Sequence, residues 1–459
     1  MAQEAQPRRH VSAAYVAMLA VAMVVGAGIF KSPALVAQEA GSPFWLFAAW
    51  IIGGFVTLIG ALCYAELATA FPNAGGDYHF LRLAYGRTTA FLFAWARFTV
   101  TNSGSIALLG YVLGDYLNIV LPLGPMGSPI YAALSVVALT AFNLRGAGKT
   151  NDAADYSLTS LEVVGLLAMV AAAVALILQG APPADAAPIA DAPALPAGFG
   201  LALVYALLAF GGWSEVATLS AEVRDPKRGM VRALMASAVL ITVLYVAVNW
   251  AFWYGLGIEG LSASATPAAD LIAKAFGDWA GLVTALAIAF AVITSINATI
   301  VVGARTTYAC AHDWPALRRI GKWDQRRQIP AAAIWAQGII SLALVIFAAF
   351  YRGFATLVDY TAPVYWLFLS MSGVAVLVLR VRMPNVERPF RIPLFPLTPL
   401  LFTASSAAML ASSVSYVTSE SGAGALVSIG VLTTGAIALA ATQFSSRARP
   451  GPSREGEFQ

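Results

Sequence analysis

A pair of glycines interrupts the first long apolar run of the chain. The run covers about residues 11–36, enough to cross a membrane, and Gly26 and Gly28 lie within it in the stretch 24–30. Glycine adds backbone freedom and leaves neighbouring N–H and C=O groups unshielded. Non-helical backbone at membrane depth is tolerated only where it lines a cavity or is buried in protein. The pair therefore indicates either a broken helix or a second helix that approaches closely at the small residues.

A second glycine pair interrupts a later apolar run in the same way, within residues 210–215. Glycine-interrupted apolar segments at corresponding places in two halves of a chain point to the binding site of a secondary transporter. The correspondence favours a broken helix at both places over close packing alone.

The composition identifies an all-α integral membrane protein. The 459 residues are 59% hydrophobic and 11% charged, and soluble domains carry roughly twice that charged fraction. About twelve apolar runs follow one another, and most reach the roughly 20 residues that cross a bilayer. Their approximate ranges are 11–36, 44–70, 88–117, 130–142, 156–178, 201–221, 230–252, 282–309, 331–350, 355–379, 400–417 and 425–442. We expect one polytopic domain over residues 1–443 and a polar, disordered cytoplasmic tail at 444–459.

Lysine and arginine are concentrated in every second loop, and this bias predicts the orientation. Basic residues follow the second, fourth, sixth, eighth and tenth runs, at positions such as Arg82, Arg145, Arg224, Arg318 and Arg380. The intervening loops hold few. Both termini are therefore expected in the cytoplasm, and the protein in the plasma (inner) membrane.

Several other classes of protein are not indicated. The basic residues are spread over short loops, so the net charge of +4 does not suggest a nucleic-acid partner. Cys63 and Cys310 lie far apart and the three histidines have no ligand spacing, so we expect no disulfide framework, metal or other cofactor. The stretch 145–150 resembles a nucleotide-binding loop, but Asn143 stands where its first glycine is required. The runs lack the paired acids or Ser–His pair of an enzyme.

Several short motifs, taken together and in order, resemble the amino acid–polyamine–organocation (APC) superfamily of secondary transporters. They are GAGIF at 26–30, YAEL at 64–67, FPNAGG at 71–76 with Tyr78, FGGW at 210–213, EVRDPKR at 222–228, Asn297 with Arg305 and Tyr308, and RPFRIP at 388–393. The resemblance covers roughly residues 11–398, and its pattern is closest to the L-type amino acid transporter and bacterial amino acid permease branch. It implies a LeuT-like fold, in which helices one to five and six to ten are inverted repeats and helices one and six are broken.

The resemblance also implies that an amino acid binds between the two broken helices. A zwitterion needs N–H donors for its carboxylate and C=O acceptors for its ammonium, and the ends of broken helices supply both. The candidate donors are Gly26, Ala27, Gly28 and Ile29. The candidate acceptors are the carbonyls of Val24, Val25, Leu208 and Phe210. The other pocket candidates are Gly211, Gly212, Trp213, Asn102 and Ser103, although small polar residues also simply pack helices.

Some members of the superfamily carry an aromatic gate two residues before the position of Phe210. This chain has Leu208 there, so an aromatic lid must come from another residue. Phe210, Trp213 and Tyr205 are the candidates, and the side-chain specificity of the site stays open.

Glu162 is an acid about six residues into the fifth run, three positions after Thr159. Many relatives carry a lysine here, which resembles an internal replacement for a sodium ion. An acid at this depth is a functional candidate, because an unpaired charge inside a membrane is costly. It either carries a coupling proton, with Thr294 and Ser295 facing it, or has a structural role. In the second case it forms an ion pair with Arg97 or lies close enough to the interface to be hydrated.

Further charged residues are candidates for an inner gate or for structural ion pairs. They are Glu66, Arg97, Glu215, Glu222 and Arg305. Glu66, Glu222 and Arg305 are expected near the cytoplasmic ends of the runs, and Arg97 within the membrane. For Arg97 a structural partner is favoured over a role as a ligand. A salt-bridge network that closes the inner side would itself serve transport.

The leading interpretation is a secondary active transporter (permease) that moves amino acids by alternating access, coupled to protons or by exchange. The alternatives are an amino acid/polyamine antiporter, a channel, and a non-transporting amino acid sensor on the same fold. The expected partners are a small amino acid, protons in the coupled case and the lipid bilayer. The sequence does not indicate an oligomeric state.

Overall fold

The computed structural model of the protein describes residues 13–73, 75–146, 152–185, 194–221, 223, 228–314, 320–327, 329–420, 430 and 433–440. Within these ranges the regular structure is helical, apart from isolated β-bridge residues, which are Val223 and the pair Asp324 and Ile329. The α-helices in chain order are α1 (Ala13–Val24), α2 (Ser32–Ala40), α3 (Pro43–Ala70), α4 (Asp77–Tyr85), α5 (Arg87–Ala96), α6 (Ser103–Val120), α7 (Gly127–Leu144), α8 (Asp152–Leu178), α9 (Phe199–Ala209), α10 (Gly229–Ala263), α11 (Pro267–Phe276), α12 (Asp278–Asp313), α13 (Ala331–Ala349), α14 (Phe354–Arg382) and α15 (Leu397–Glu420).

The number of membrane spans in the described residues is smaller than the sequence predicts. Nine helices are long and apolar enough to cross a membrane, and the bent pair Val16–Phe30 with Ser32–Ala40 adds a tenth if it counts as one span. The prediction of about twelve is not confirmed. α8 covers the 27 residues Asp152–Leu178 but enters this count only with its part Glu162–Leu178. Most of the last predicted run, 425–442, lies outside the described residues.

The first span is broken where its glycine pair predicts. α1 ends at Val24, a short 3₁₀ helix covers Ala27–Phe30, and α2 begins at Ser32 after a bend of 60°. Between α1 and the 3₁₀ helix, Gly26 has an extended backbone with φ −102° and ψ −167°. This conformation lies far from that of an α-helix, so the helix cannot continue through it.

The second break lies between the end of α9 at Ala209 and a 3₁₀ helix at Trp213–Ala221. Gly212 has φ +108°, in the left-handed region that favours glycine. A Cβ atom at this position would lie 2.3 Å from the carbonyl oxygen of Met23 near the end of α1. Glycine thus allows the two breaks to touch, and the broken-helix and close-packing interpretations both hold here.

The third span has an irregular centre that the sequence did not predict. α5 leads into a π-helical segment, Arg97–Asn102, and α6 continues from it as part of one span, Arg87–Val120. Single π-helical turns are rare and are frequent at functional sites. The segment places Arg97 at its first position, opposite the second break.

Three buried aromatic side chains join the second break to the rest of the bundle. The ring centroid of Trp50 of α3 lies 5.8 Å from that of Phe210 and 5.7 Å from that of Tyr245 of α10. The Phe210 and Tyr245 centroids are 5.0 Å apart. Buried aromatic pairs at such distances contribute stability beyond the area that they bury. They fix the C-terminal end of α9 against α3 and α10, and so position the site described next.

Candidate functional site

A single hydroxyl group joins the ends of the two broken helices. Tyr245 Oη lies 2.9 Å from the carbonyl oxygen of Val24 and 3.2 Å from that of Ala209. These are the last residues of α1 and α9, where helix carbonyls have no partner within their own helix. One phenolic proton is shared between the two acceptors, so Tyr245 ties both half-helices to α10. No motif marked this residue in the sequence.

The two glycines of the first break have different surroundings. Apart from its chain neighbours, no described residue has an atom within 4 Å of the place where a Cβ atom of Gly26 would be, whereas one at Gly28 would lie 3.3 Å from Ala209 Cα. Gly28 therefore serves the close contact between the breaks. Gly26 borders open space, which makes it the better candidate for contact with a ligand.

Two of the four candidate carbonyls already accept hydrogen bonds from the protein. Val24 O accepts from Tyr245 and also from the backbone N–H of Gly26 at 2.7 Å. Leu208 O accepts from the backbone N–H of Gly211 at 3.0 Å. These contacts make Val25 and Phe210 the stronger candidates to receive an ammonium group.

The expectation that an aromatic lid comes from Phe210, Trp213 or Tyr205 stays a prediction. All three side chains are buried in the protein. Phe210 packs in the aromatic cluster described above, and the Trp213 ring lies 5.0 Å from that of Tyr64 and 6.2 Å from that of Phe402. The backbone at Gly211 and Gly212 directs the rings of Phe210 and Trp213 into the helix bundle. The sequence alone does not predict the direction in which these side chains point.

Asn102 and Ser103 have contacts that fit helix packing. Ser103 Oγ donates to the carbonyl of Phe98 at 2.8 Å, within the π-helical segment. The Asn102 amide faces Gly303 of α12, where a Cβ atom would lie 3.0 Å from its Nδ2 and 2.6 Å from Gln337 Oε1. Their expected role as pocket residues gains no support from these contacts.

Glu162 meets one of its two expected neighbours. Ser295 Oγ lies 3.4 Å from Glu162 Oε1, while Thr294 Oγ1 donates to the carbonyl of Ala291 at 2.7 Å. The alternative in which Arg97 is its structural partner gains no support, because Arg97 lies 2.6 Å from Glu215. Glu162 is buried, with 9% of its surface exposed.

A cavity of about 40 Å³ lies between α3, α4, α14, the π-helical segment Arg97–Asn102 and the 3₁₀ helix Trp213–Ala221. The polar residues that line it include Tyr64, Asp77, Arg97, Glu215, Tyr365 and Ser372. Asp77 Oδ1 accepts hydrogen bonds from Tyr64 at 2.5 Å and from Ser372 at 3.1 Å. Burial raises the pKa of Asp77 to about 6. Sequence reasoning missed Asp77, although its place directly after the motif at 71–76 was a signal.

Glu66 is held in a dense ionic cluster, which we call the Glu66 cluster. Its carboxylate accepts two hydrogen bonds from Arg380 and one of 2.8 Å from the backbone N–H of Ile392, and Arg388 lies 3.4 Å away. Arg388 also donates to the carbonyls of Leu379 and Met383, both at 3.0 Å. The cluster connects α3 to the end of α14 and to the RPFRIP motif. This arrangement suits a structural role, in which the two helices keep a fixed relative position.

The two other predicted gate residues have no place in these contacts. Glu222 lies outside the described residues. Arg305 is exposed on α12, and no ion pair within the described part of the chain includes it.

A second ionic cluster joins the first break to the third span at the other end of the bundle. Lys31 Nζ lies 2.6 Å from Asp115 of α6 and donates to the carbonyl of Ala265 at 3.0 Å. Ser128 of α7 donates to the same Asp115 carboxylate at 2.6 Å. Beside it, Tyr116 donates to the carbonyl of Phe30 at 3.1 Å.

Comparison with known proteins decides the family. A family model described as amino acid permease matches residues 12–445. The chain belongs to the amino acid permease family. Its resemblance to the APC superfamily is thereby confirmed, as is the all-α, multi-pass membrane fold of LeuT-like type with broken first and sixth helices.

Several curated relatives of this permease are transporters. Large neutral amino acids transporter small subunit 2 of Homo sapiens is 29% identical over 397 residues, which are 84% of this chain and 72% of the relative. The b(0,+)-type amino acid transporter 1 of Rattus norvegicus is 26% identical over 386 residues, 82% of this chain and 77% of the relative. The serine/threonine exchanger SteT of Bacillus subtilis (strain 168) is 25% identical over 436 residues, 93% of this chain and 95% of the relative.

Proposed function

We propose that this permease is a secondary active transporter that moves amino acids across the membrane by alternating access. The observation that carries the proposal is the meeting of two broken helices at Tyr245, with open space beside Gly26. Broken helices at the midplane are the sites at which transporters of this architecture bind their substrates. One relative is named as an exchanger, which favours exchange of one amino acid for another.

The substrate is a neutral amino acid. Residues 24–30 and 210–213 contain no ionisable side chain, so backbone groups alone must neutralise the two charges of the zwitterion. The N–H groups of residues 26–29 carry the positive end of a helix dipole and suit the carboxylate. The carbonyls of Val25 and Phe210 suit the ammonium group. A substrate with a charged side chain would need a further partner at these breaks.

The ion pair between Arg97 and Glu215 is the inner gate. It connects the π-helical segment of the third span to the 3₁₀ helix that follows the second break. Its 2.6 Å contact must separate if the sixth span moves away from the third. Glu66 has a different role, because its cluster fixes α3 to α14. Glu222 and Arg305 remain candidates for the gate on the basis of sequence alone.

Glu162 is the candidate coupling group. It is an acid inside an apolar helix, with a serine hydroxyl 3.4 Å from its carboxylate, and an intramembrane acid that lacks a cationic partner is best accommodated with a proton bound. If transport is coupled to protons, Glu162 carries one, and Ser295 positions its carboxyl group.

The basic loops favour a plasma (inner) membrane protein with both termini in the cytoplasm, as predicted from the sequence. A single transport domain over residues 1–443 agrees with a family match that reaches residue 445. The predicted tail at 444–459 lies outside the described residues.

The test is counterflow in liposomes. Purified protein is reconstituted into vesicles loaded with one unlabelled amino acid at high concentration, and uptake of the labelled compound is followed. A transporter accumulates label transiently and saturably for neutral amino acids, and the same vesicles loaded with a polyamine test the antiporter alternative. Label that equilibrates without saturation would indicate a channel. A sensor would show a ligand-dependent rise in melting temperature without any uptake.

A further inference from the structure

Asp77 is a partly buried carboxylate at a place that the substrate site does not use. It is the first residue of α4, a short helix between the second and third spans. Its Oδ1 accepts hydrogen bonds from two hydroxyl groups, those of Tyr64 on α3 and Ser372 on α14. A third hydroxyl, that of Tyr365 on α14, lines the same cavity. These groups orient the carboxylate but do not neutralise it.

The charges in the cavity do not balance. Among the described residues that line it, Asp77 and Glu215 are acids and Arg97 is the cation. Arg97 is already 2.6 Å from Glu215, so the second carboxylate adds a net negative charge to a partly buried cavity. Such a charge is costly unless a proton or a second cation neutralises it.

The proton affinity of Asp77 agrees with that count. Burial, with a smaller contribution from Glu215, raises the pKa of Asp77 from 3.8 to about 6, while Tyr64, Arg97 and Ser372 act against the increase. In this closed arrangement the carboxylate therefore holds a proton roughly 100-fold more tightly than it would in water. The shift vanishes if the cavity opens and water hydrates the group.

We propose that Asp77 is a proton-binding site of the inner gate, which takes up one proton when the gate closes and releases it when the gate opens. The proposal rests on the proposed function and concerns the same transport cycle. In the closed state the cluster contains a neutral carboxyl group beside the Arg97–Glu215 pair. When the sixth span moves away from the third, the carboxyl O–H bond breaks and the proton passes to water on the open side.

The direction of the pH effect follows from the raised pKa. Below about pH 6 the partly buried group is protonated, so the closed gate carries no uncompensated charge and is stabilised. As the pH rises through that value, Asp77 ionises and the closed gate loses this stabilisation. Acid therefore favours the closed inner gate, and neutral pH favours its opening.

Infrared spectroscopy of the purified full-length protein tests the site without any transport. The band of protonated carboxyl groups is followed from about pH 4 to about pH 8, a range that brackets the ordinary and the raised pKa. We expect a component with a midpoint near 6, absent in Asp77→Asn and retained in Glu162→Gln. In Tyr64→Phe the midpoint should rise, since a hydrogen bond that stabilises the carboxylate is lost. The Tyr64→Phe variant tests the proposal if Asp77→Asn fails to fold.

An identical titration in the wild-type protein and in Asp77→Asn, or an unchanged midpoint in Tyr64→Phe, would overturn the proposal. Counterflow at several pH values is the second measurement. Exchange by the wild-type protein should accelerate as the pH rises through about 6, whereas Asp77→Asn should show no such step. Asp270→Asn, which removes an exposed acid from α11, is the matched control and should keep the wild-type profile.

The two failures are distinguishable. If the wild-type protein exchanges no amino acid at any pH, the proposed transport function fails, and the infrared titration alone decides whether Asp77 binds the proton. If exchange occurs but the carboxyl component survives in Asp77→Asn, transport stands and the proton site is refuted.

Discussion

Replacing Glu66 by glutamine should destabilise the protein strongly. The side chain is 3% exposed and lies against the guanidinium groups of Arg380 and Arg388, which are 19% and 8% exposed. Glu66→Gln keeps the shape but removes the only carboxylate among the described residues of this cluster, leaving two buried cations without a counter-charge. Removing one partner of a buried ion pair typically costs about 3–5 kcal/mol. The backbone N–H of Ile392, which donates to Glu66 at 2.8 Å, would still find an amide oxygen.

Thermal unfolding in detergent measures this effect. Glu66→Gln should lower the apparent melting temperature well below that of the wild-type protein, while Glu259→Gln, at an exposed position of α10, should not. Adding Arg388→Gln should recover part of the loss, because contacting residues are not additive. A Glu66→Gln protein that melts like the wild type but transports more slowly would refute the structural role of Glu66. That result would favour a role for Glu66 in the inner gate.

Four further outcomes are expected. Gly26→Leu should abolish amino acid binding in a thermal-shift assay with little change in the melting temperature of the unliganded protein, because the position borders open space; wild-type affinity would contradict this. Tyr245→Phe should cost about 1–3 kcal/mol, because the carbonyls of Val24 and Ala209 both lose the hydroxyl as a donor, although Val24 keeps the N–H of Gly26. Counterflow should slow, and an unchanged melting temperature would argue against this role of Tyr245. Glu162→Gln should lose pH-driven accumulation but keep exchange, so wild-type accumulation would rule out its coupling role. Leu123→Cys, in a background without native cysteines, should react with an impermeant reagent in intact cells; reaction only after permeabilisation would reverse the predicted orientation.

The two breaks were predictable from the sequence because their cause is local. A glycine pair inside an apolar run weakens the helix at that point in any surrounding. The fold then uses the two pairs differently. Gly212 needs its left-handed backbone and a close approach to Met23, and Gly28 packs on Ala209, whereas Gly26 borders open space. The type of residue indicated a break but not which glycine faces a ligand.

Contacts between distant parts of the chain were the ones that sequence reasoning missed. The hydroxyl of Tyr245 and the carbonyl of Val24 are separated by 221 residues, and Asp77 and Ser372 by 295. A single sequence contains no signal for such pairs. The same limit explains why Arg97 was considered a partner for Glu162, since both are charges at membrane depth and their facing directions depend on tertiary packing.

The third span connects to both broken helices by two ion pairs, one near its centre and one near its C-terminal end. Arg97 pairs with Glu215 after the second break, and Asp115 pairs with Lys31 after the first. At 1.5 Å per residue the two charges of the third span lie roughly 27 Å apart along its axis, close to the thickness of a bilayer core. On the proposed mechanism each pair would close a different side of the membrane. Because the pairs share no atoms and lie far apart, one can separate while the other stays intact, and alternating access requires that the two sides open in turn.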